Sequence, residues 1–287
     1  MSKKTIYETH VYLIIPMTNL HVGSGDTSYG IIDKLVQRDS VTRFPVIHSS
    51  SLKGGLREYF ENGNTELSET QIERIFGSKP KLAVGKEPQN GEYRFFSGEL
   101  LFLPVRSNLK PYYQATCNEI LNAFLNKISL FPALNMNSSL FTQIKSMQDF
   151  PLNGSPIVFN QPENPVLEDW EAKNIQIDGF NLDTIPMDGP PALMPYQNVR
   201  ELTENLPVIA RNYLEDGVSD NLWYEEIVPH HTIFYTMVAI PKTFDDNNEM
   251  PDPDFETFNK ILTGENNLIQ LGGNASIGYG FCQFIKQ

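Results

Sequence analysis

Hydrophobic and polar positions alternate near the start of the chain, in residues 5–15. Alternate positions there place one set of side chains on a single face: Tyr7, Thr9, Val11, Leu13 and Ile15. A period of two predicts a half-buried β-strand. Apolar runs predict further strands at 95–107, at 227–241 and in the closing segment FCQFIK.

Helices are predicted where capping signals precede apolar positions three or four residues apart. Ser50 or Ser51 can cap a helix that ends at Gly63, with an apolar side made of Leu52, Leu56, Tyr59 and Phe60. Further helices are predicted between Ser68 and Gly77 with Gln71 completing a capping box, from the capping box Thr116–Glu119 through Leu121, Phe124, Leu125 and Ile128, and between Asp254 and Gly264.

These segments follow one another as strand, helix, strand, helix, strand, helix and strand. That order predicts an α+β fold with insertions and no strict βαβ repeat. Residues 131–221 are proline-rich and irregular, and 90 such residues are too many for a loop in a compact domain, so we expect an extended functional insertion with some strand content. The cluster MDGPPALMP at 187–195 is not expected to form a helix or a central strand.

The charge of the chain is unevenly distributed. The net charge is −13, which argues against nucleic-acid binding because phosphates need a basic surface. Residues 1–57, however, hold seven Lys or Arg against four acids, a net +3, and the remainder holds 15 against 31, a net −16. This asymmetry is compatible with one RNA-facing surface and acidic faces for basic partners, while charge alone leaves an ordinary acidic enzyme open.

Composition narrows the class of protein further. Hydrophobic residues make up 40% of the chain, enough for a packed core. No apolar run approaches the ~20 residues that span a bilayer. Cys117 and Cys282 are far apart and have no ligand-like His pair beside them, so they predict neither a disulfide framework nor a zinc site. We interpret the chain as a soluble cytoplasmic protein.

Three segments rich in Gly or Ser carry the candidate chemistry: HVGSGDTSYGIIDKLVQRD, SSSLKGGLR and LGGNASIGYG. The first is not a nucleotide P-loop, because no Gly-Lys-Ser/Thr follows, and the last lacks the following helix and acid of a dinucleotide site. Glycine amides, serine hydroxyls and a helix N-terminus can instead cradle a nucleic-acid backbone. For SSSLKGGLR alone, a capped helix with a solvated basic face is the preferred interpretation.

Taken together, these segments resemble the RAMP superfamily, and more narrowly the backbone subunit of type III-B CRISPR effectors (the Cmr complex). The resemblance rests on motifs in the family's order: LHVGSG, GIIDKLVQRD, TRFPVIHSSSLKGGLR, GELLFLPVRS, NLPVIARNYLEDG, NLWYEE and LIQLGGNASIGYGF. It implies a modified RRM (ferredoxin-like) core with a protruding thumb. The core would comprise 1–60, 93–130 and 223–287, with a small helical insert at 61–92 and an insertion at 131–222 that contains the thumb, at about 183–222.

The resemblance also implies an activity and partners. Such subunits stack as copies of themselves along one guide RNA (crRNA), together with other subunits of the complex, and cleave complementary target RNA at regular intervals. Their cleavage residue maps to Asp33, as the metal-bound carboxylate of a reaction that depends on Mg²⁺ or Mn²⁺. His21 is the second catalytic candidate, as proton donor or as a polar strand end. Asp26, in the same loop, is better explained as a turn former.

The remaining candidates are expected to contact RNA: Ser49, Ser50, Ser51, Lys53, Arg57, Arg38, Arg43, Arg106, Arg200, Arg211, Gly273, Asn274 and Ser276. Solvated charge is the alternative for Arg200 and Arg211. For Asp33 itself, the alternative without the resemblance is a loop-capping carboxylate. Two other functions stay open: a non-catalytic RNA scaffold of the same or a type III-A complex, and a stand-alone, metal-free RAMP endoribonuclease with His21 as base.

Overall fold

The computed structural model describes residues 7–25, 30–63, 66–78, 89–131, 139–178, 180, 189–245, 248–250, 252–264 and 267–287. Asp26 lies outside these ranges. The strands are β1 Tyr7–Pro16, β2 Val46–Ile47, β3 Arg94–Phe95, β4 Gly98–Arg106, β5 Tyr112–Thr116, β6 Ile157–Phe159, β7 Val166–Leu167, β8 Trp170–Glu171, β9 Lys173–Ile175, β10 Pro191–Leu193, β11 Val208–Glu215, β12 Val218–Glu226, β13 Ile233–Pro241, β14 Thr243–Asp245, β15 Asn248–Met250, β16 Ile269–Gln270 and β17 Phe281–Lys286.

The helices are α1 Ser49–Asn62, α2 Glu69–Phe76, α3 Asn118–Ser129, α4 Ser139–Gln148, α5 Tyr196–Glu204 and α6 Phe255–Thr263, with a 3₁₀ turn at Ala275–Ile277. Each predicted helix is present, and the predicted α+β order is confirmed. The Ser68–Gln71 capping box forms as expected, and Gly77 and Gly264 follow the ends of α2 and α6.

Two predicted caps are wrong, and a third is at the predicted residue but lacks the side-chain bond of a cap. Helix α1 begins at Ser49 after His48, and α3 begins after Cys117, in both cases without a side-chain cap. Asp254 does precede α6, but its carboxylate accepts hydrogen bonds from Gln71 and Arg74 instead of helix amides. At Asp254, tertiary hydrogen bonds replace local capping, because the carboxylate links α2 to α6.

One mixed sheet organises the core, in the order β16-β17-β1-β13-β4-β5-β10-β6-β9. Strand β1 lies between β13 and β17, and the consecutive residues Tyr12, Leu13 and Ile14 are all fully buried. The prediction of a half-buried strand is therefore wrong. Strand β1 has neighbouring strands on both edges and both of its faces are covered, so it buries both sets of side chains. The alternation of polarity therefore predicted a strand correctly but did not predict its burial.

The proline cluster at 187–195 also departs from expectation. Its residues 191–193 form β10, which pairs in parallel with β5 and antiparallel with β6. Pro191 is the first residue of the strand, a position where a missing N–H is tolerated, and the Pro190 carbonyl accepts from the Gln114 amide at 2.8 Å. A short central strand thus starts at the proline pair, and α5 follows it.

Strands β11 and β12 form a hairpin that constitutes a sheet of its own. Its turn, Asp216–Gly217, has φ of +51° and +81°, as a type I′ turn requires. Most side chains of the hairpin are exposed, and only its last residues, Glu225 and Glu226, are fully buried. Strand β13 begins at Ile233 and not at 227, since His231 has φ of +64° in the preceding turn. Within the described ranges, no helix is long and apolar enough to cross a membrane.

Candidate active site and RNA interface

Asp33 lies against the base of the hairpin, alongside β12. The amides of Asp33 and Lys34 both donate to the Tyr224 carbonyl at 3.1 Å, and the Glu226 amide donates to the Lys34 carbonyl at 2.9 Å. The Tyr224 amide in turn donates to Asp33 Oδ2 at 2.7 Å. The loop that carries Asp33 is therefore a short parallel addition to β12, and the exposed carboxylate is fixed by a backbone donor.

Glu225 is the most heavily bonded side chain near Asp33. Only 1% of it is exposed. It accepts from Lys34 Nζ, Trp223 Nε1 and Asn274 Nδ2, each at 2.8 Å, and from Arg211 Nε at 3.3 Å. Burial by itself raises the pKa of Glu225, but the hydrogen bonds from Lys34, Trp223 and Asn274 outweigh it and lower the pKa to about 2. Glu225 is therefore a buried anion that three chain segments share.

Glu226 forms a second buried contact with the same loop. It pairs with the Arg38 guanidinium, and its Oε2 accepts from the Val36 amide at 3.0 Å. Adjacent strand residues point to opposite faces. Both glutamates are nevertheless buried: Glu225 is bonded by Lys34 of the 33–38 loop and by Asn274 of the C-terminal glycine loop, and Glu226 by Val36 and Arg38 of the 33–38 loop.

His21 is buried beneath this arrangement, with 6% exposure. Its Nδ1 lies 2.7 Å from the Glu226 carbonyl oxygen, so Nδ1 carries the proton and donates. Its own carbonyl accepts from the Gly273 amide at 2.9 Å. A Cβ at Gly272, where φ is +79°, would lie 2.4 Å from the same carbonyl oxygen. Glycine is therefore required for the loop to pack this closely on His21.

The predicted RNA-binding cations are largely paired with carboxylates. Arg38 and Arg211 turn inward to Glu226 and Glu225, and Arg211 also stacks over the Tyr279 ring at 4.7 Å. Three more of these arginines each pair with a carboxylate outside the hairpin: Arg57 with Glu61, Arg106 with Glu168 and Arg200 with Glu204. Arg43 is exposed in a turn, and Lys53 is half-buried on α1.

The other predicted positions fall into two groups. Ser50, Gly273 and Ser276 are exposed. Ser49 and Ser51 are half-buried: the Ser49 amide donates to Ser97 Oγ at 3.1 Å, and Ser51 Oγ accepts from Gln37 Nε2 at 2.8 Å. Gln37 also accepts from the His48 amide, so it joins the Asp33 loop to the start of α1.

The structure thus brings together Asp33, His21, the start of α1, the base of the hairpin and the glycine loop. Arg106 lies elsewhere, on a cavity of about 700 Å³ beside Tyr112 and Trp170. Sequence reasoning assigned no role to Glu225, Glu226 or Gln37. The Glu pair in NLWYEE was the available signal, since two adjacent acids directly after an aromatic pair need partners if they are buried.

The donor set around Asp33 limits what metal it could hold. Among the described residues, no three His, Cys, Asp or Glu side chains come together as a metal site. An exposed carboxylate fits a divalent ion only if water and RNA oxygens supply the other ligands, which is the way Mg²⁺ commonly binds near phosphates.

Comparisons with known proteins give the family. The model of the RAMP superfamily matches residues 14–283. The CRISPR system Cmr endoribonuclease Cmr4 of Pyrococcus furiosus is 30% identical over 285 residues, covering 92% of this chain and 91% of that protein. In the solved type III-B Cmr-beta complex, a chain matches with 21% identity in the apo state (TM-score 0.77, 97% of each chain) and with cognate target RNA bound (TM-score 0.76, 97% and 96%).

Oligomeric Cmr4 from Pyrococcus furiosus has the same fold, with a TM-score of 0.69, 23% identity and 98% of each chain covered. The family match spans almost the whole chain and includes the Asp33 loop, the hairpin and the glycine loop. On these grounds the chain belongs to the RAMP superfamily.

Proposed function

We propose that this chain is the repeated backbone subunit of a type III-B CRISPR RNA-guided effector, and that it cleaves guide-bound target RNA. The observation that carries the proposal is the placement of Asp33, exposed and fixed by the Tyr224 amide at the base of an exposed hairpin. The 30% identical relative is named as a Cmr endoribonuclease. The related complex was solved with target RNA, and the related Cmr4 as an oligomer, so guide RNA, target RNA, other copies and other complex subunits are the proposed partners.

Asp33 can act on RNA as a general base. Strand scission proceeds when a ribose 2′-OH attacks the adjacent phosphorus in line with the leaving 5′ oxygen. A base displaced from the duplex allows that alignment, and the exposed hairpin is the element that would displace it, within the thumb proposed at about 183–222. With Oδ2 held by Tyr224, Oδ1 would take the 2′-OH proton, a contribution typically worth ~10²–10⁴-fold.

We further propose that the reaction depends on Mg²⁺ or Mn²⁺. Asp33 would supply one ligand, and RNA oxygens and water the others. The ion would stabilise negative charge at the phosphate when bound. In that arrangement Asp33 Oδ1 would be a ligand of the ion instead of taking the 2′-OH proton, and the hairpin base would place the ion beside the scissile phosphate.

Guide RNA is proposed to follow the start of α1 and the glycine loop. The exposed positions Ser50 and Ser276 offer hydroxyl donors there, with Lys53 and Arg43 nearby in the sequence, whereas the Gly273 amide already donates to the His21 carbonyl. Because many cations are neutralised by internal carboxylates, uncharged donors would carry more of this contact than the sequence suggested. Acidic outer faces are left for basic partners in the complex.

The geometry is less suited to the metal-free alternative with His21 as base. His21 is buried, and its Nδ1 is engaged by the Glu226 carbonyl. The non-catalytic scaffold differs from the proposal only in the role of Asp33, so a single substitution separates the two.

The decisive experiment compares wild-type, Asp33→Asn and Asp169→Asn chains in reconstituted complex, with and without Mg²⁺ or Mn²⁺. Asp169 is an exposed carboxylate on the β7–β8 turn and serves as the matched control. We expect Asp33→Asn to abolish regularly spaced cuts of a guide-complementary RNA while guide and target binding persist, and Asp169→Asn to cut normally. Unchanged cuts in Asp33→Asn would make the chain a scaffold.

A further inference from the structure

Two residues expected to touch RNA contact a buried carboxylate instead. Asn274, in the glycine loop, and Arg211, on β11, both donate to Glu225. Asn274 adopts φ of +65°, a left-handed conformation that asparagine tolerates, and this orientation directs its amide toward the hairpin. The contact therefore belongs to the fold of the free chain.

Glu225 joins three segments that are distant in sequence. Lys34 reaches it from the Asp33 loop, Arg211 and Trp223 from the hairpin, and Asn274 from the glycine loop. A second contact runs in parallel, since Arg211 stacks over Tyr279 of the glycine loop. Removal of any one segment would leave part of a buried anion without donors, so the segments are held as a unit.

The same unit fixes Asp33. Glu225 follows Tyr224, whose amide holds Asp33 Oδ2, and Lys34 follows Asp33. Two successive residues of β12, Tyr224 and Glu225, therefore hydrogen-bond to two successive residues of the loop, Asp33 and Lys34. A shift of the glycine loop moves Glu225, and Glu225 moves the backbone that orients the carboxylate.

We infer that Glu225 is a positioning residue for Asp33, and that Asn274 and Arg211 act through it and do not bind RNA phosphates. The inference rests on the proposed function of Asp33. On this inference the glycine loop restrains Glu225 and, through it, Asp33. The guide RNA proposed to lie on the glycine loop would set the position of that loop and so determine whether Asp33 is aligned for cleavage. Misplacement of a reacting group by about 1 Å can cost ~10²-fold in rate.

The test uses reconstituted complexes containing Asn274→Ala, Arg211→Gln, Glu225→Gln or Ile277→Ala chains. Ile277 is the matched control, since it is exposed in the same loop and has no proposed contact with RNA. We expect Asn274→Ala and Glu225→Gln each to slow single-turnover cleavage by about tenfold or more at saturating target, in line with a misaligned reacting group. The double variant should be no slower than Glu225→Gln alone, because both changes break one contact.

Guide binding supplies a readout that does not depend on activity. A lost phosphate contact lowers the salt dependence of binding by a log–log slope of ~0.7 for single-stranded RNA. We expect Arg211→Gln to leave that slope unchanged, and Asn274→Ala to raise hydrogen exchange in residues 33–38 while Ile277→Ala does not. A slope reduced by ~0.7, or wild-type cleavage and exchange in Asn274→Ala, would overturn the inference.

Asp33→Asn in the same series separates the two proposals. If Asp33→Asn is inactive and Asn274→Ala cleaves like wild type, only the positioning inference fails. If Asp33→Asn still cleaves, the proposed function fails, and with it any role of Glu225 in that reaction. The exchange measurement still reports whether Asn274 restrains the loop, so a folding defect in Glu225→Gln does not decide the outcome.

Discussion

The base and the tip of the β11–β12 hairpin are built on opposite principles. At the base, Glu225 and Glu226 are buried and bonded by cations and amides from three segments. Toward the tip, apolar side chains face solvent: Tyr213, Leu214, Val218 and Leu222 are each more than half exposed. Charged groups are buried and apolar groups exposed, the reverse of the usual arrangement.

The two ends of the hairpin therefore have different roles. The buried charges fix the direction of the hairpin and the position of Asp33 through hydrogen bonds and ion pairs. The exposed apolar positions add little to the folded chain and are available to a partner. Substitutions at the base should therefore act on stability and alignment, and those at the tip on contact with RNA or a neighbouring copy.

The largest effect is expected at Glu226. Its side chain is 3% exposed, and that of Arg38 is 10% exposed. Glu226→Ala leaves the guanidinium and the Val36 amide without their acceptor, and breaking such a buried pair typically costs about 3–5 kcal/mol. We expect the free energy of unfolding in urea to fall by that amount.

Glu204→Ala is the control, because the Arg200–Glu204 pair has the same chemistry with both side chains about half exposed. An exposed pair contributes little, because water screens the two charges. Equal losses in the two variants would mean that the base is not held by its buried charges.

A smaller effect is expected from pH at Glu225. Its pKa in the folded chain, about 2, is below its ordinary value of 4.5. A depressed pKa stabilises the folded state above the unfolded value, and that contribution is lost as pH falls from about 4.5 through about 2. The free energy of unfolding of wild type relative to Glu225→Gln should shrink over that range and stay constant above pH 6, whereas a pH-independent difference would contradict the assignment.

How far the sequence predicts this arrangement depends on the distance between partners. The capping box Ser68–Gln71 and the helix ends were predicted because their partners lie a few residues apart. Asp33 was found through a family motif, without its anchor. Lys34 and Glu225 are separated by 191 positions, and no periodicity or spacing connects residues so far apart.

The cations show the same limit. Arg38 was expected to contact RNA as a cation near Asp33, and Arg211 as a residue of the thumb, with solvated charge as its alternative. Their partners, Glu226 and Glu225, were visible only as an acidic pair at the end of NLWYEE. Strand β10 was missed for a related reason: its pairing with β5 and β6 depends on neighbours, and propensity alone argued against it.

The smallest effect on stability is expected at the tip. Leu214 and Val218 are 57% and 71% exposed, and changing both to Ser removes apolar surface that the folded chain does not bury. Surface substitutions of this kind usually change the free energy of unfolding by no more than about 0.5 kcal/mol each. If the tip wedges between the bases of the guide–target duplex, the same double variant should cleave target RNA more slowly, since its apolar side chains would offset an unstacking cost of a few kcal/mol per base step.

Asn221→Ser is the matched control, since Asn221 is an exposed polar residue of β12. Asn221→Ser should change neither stability nor cleavage. Normal cleavage by the Leu214→Ser, Val218→Ser variant would show that the exposed apolar tip is not the part of the thumb that acts on RNA. A large loss of stability in the free chain would instead show that the folded chain does depend on the tip, and the contrast with the base would then fail.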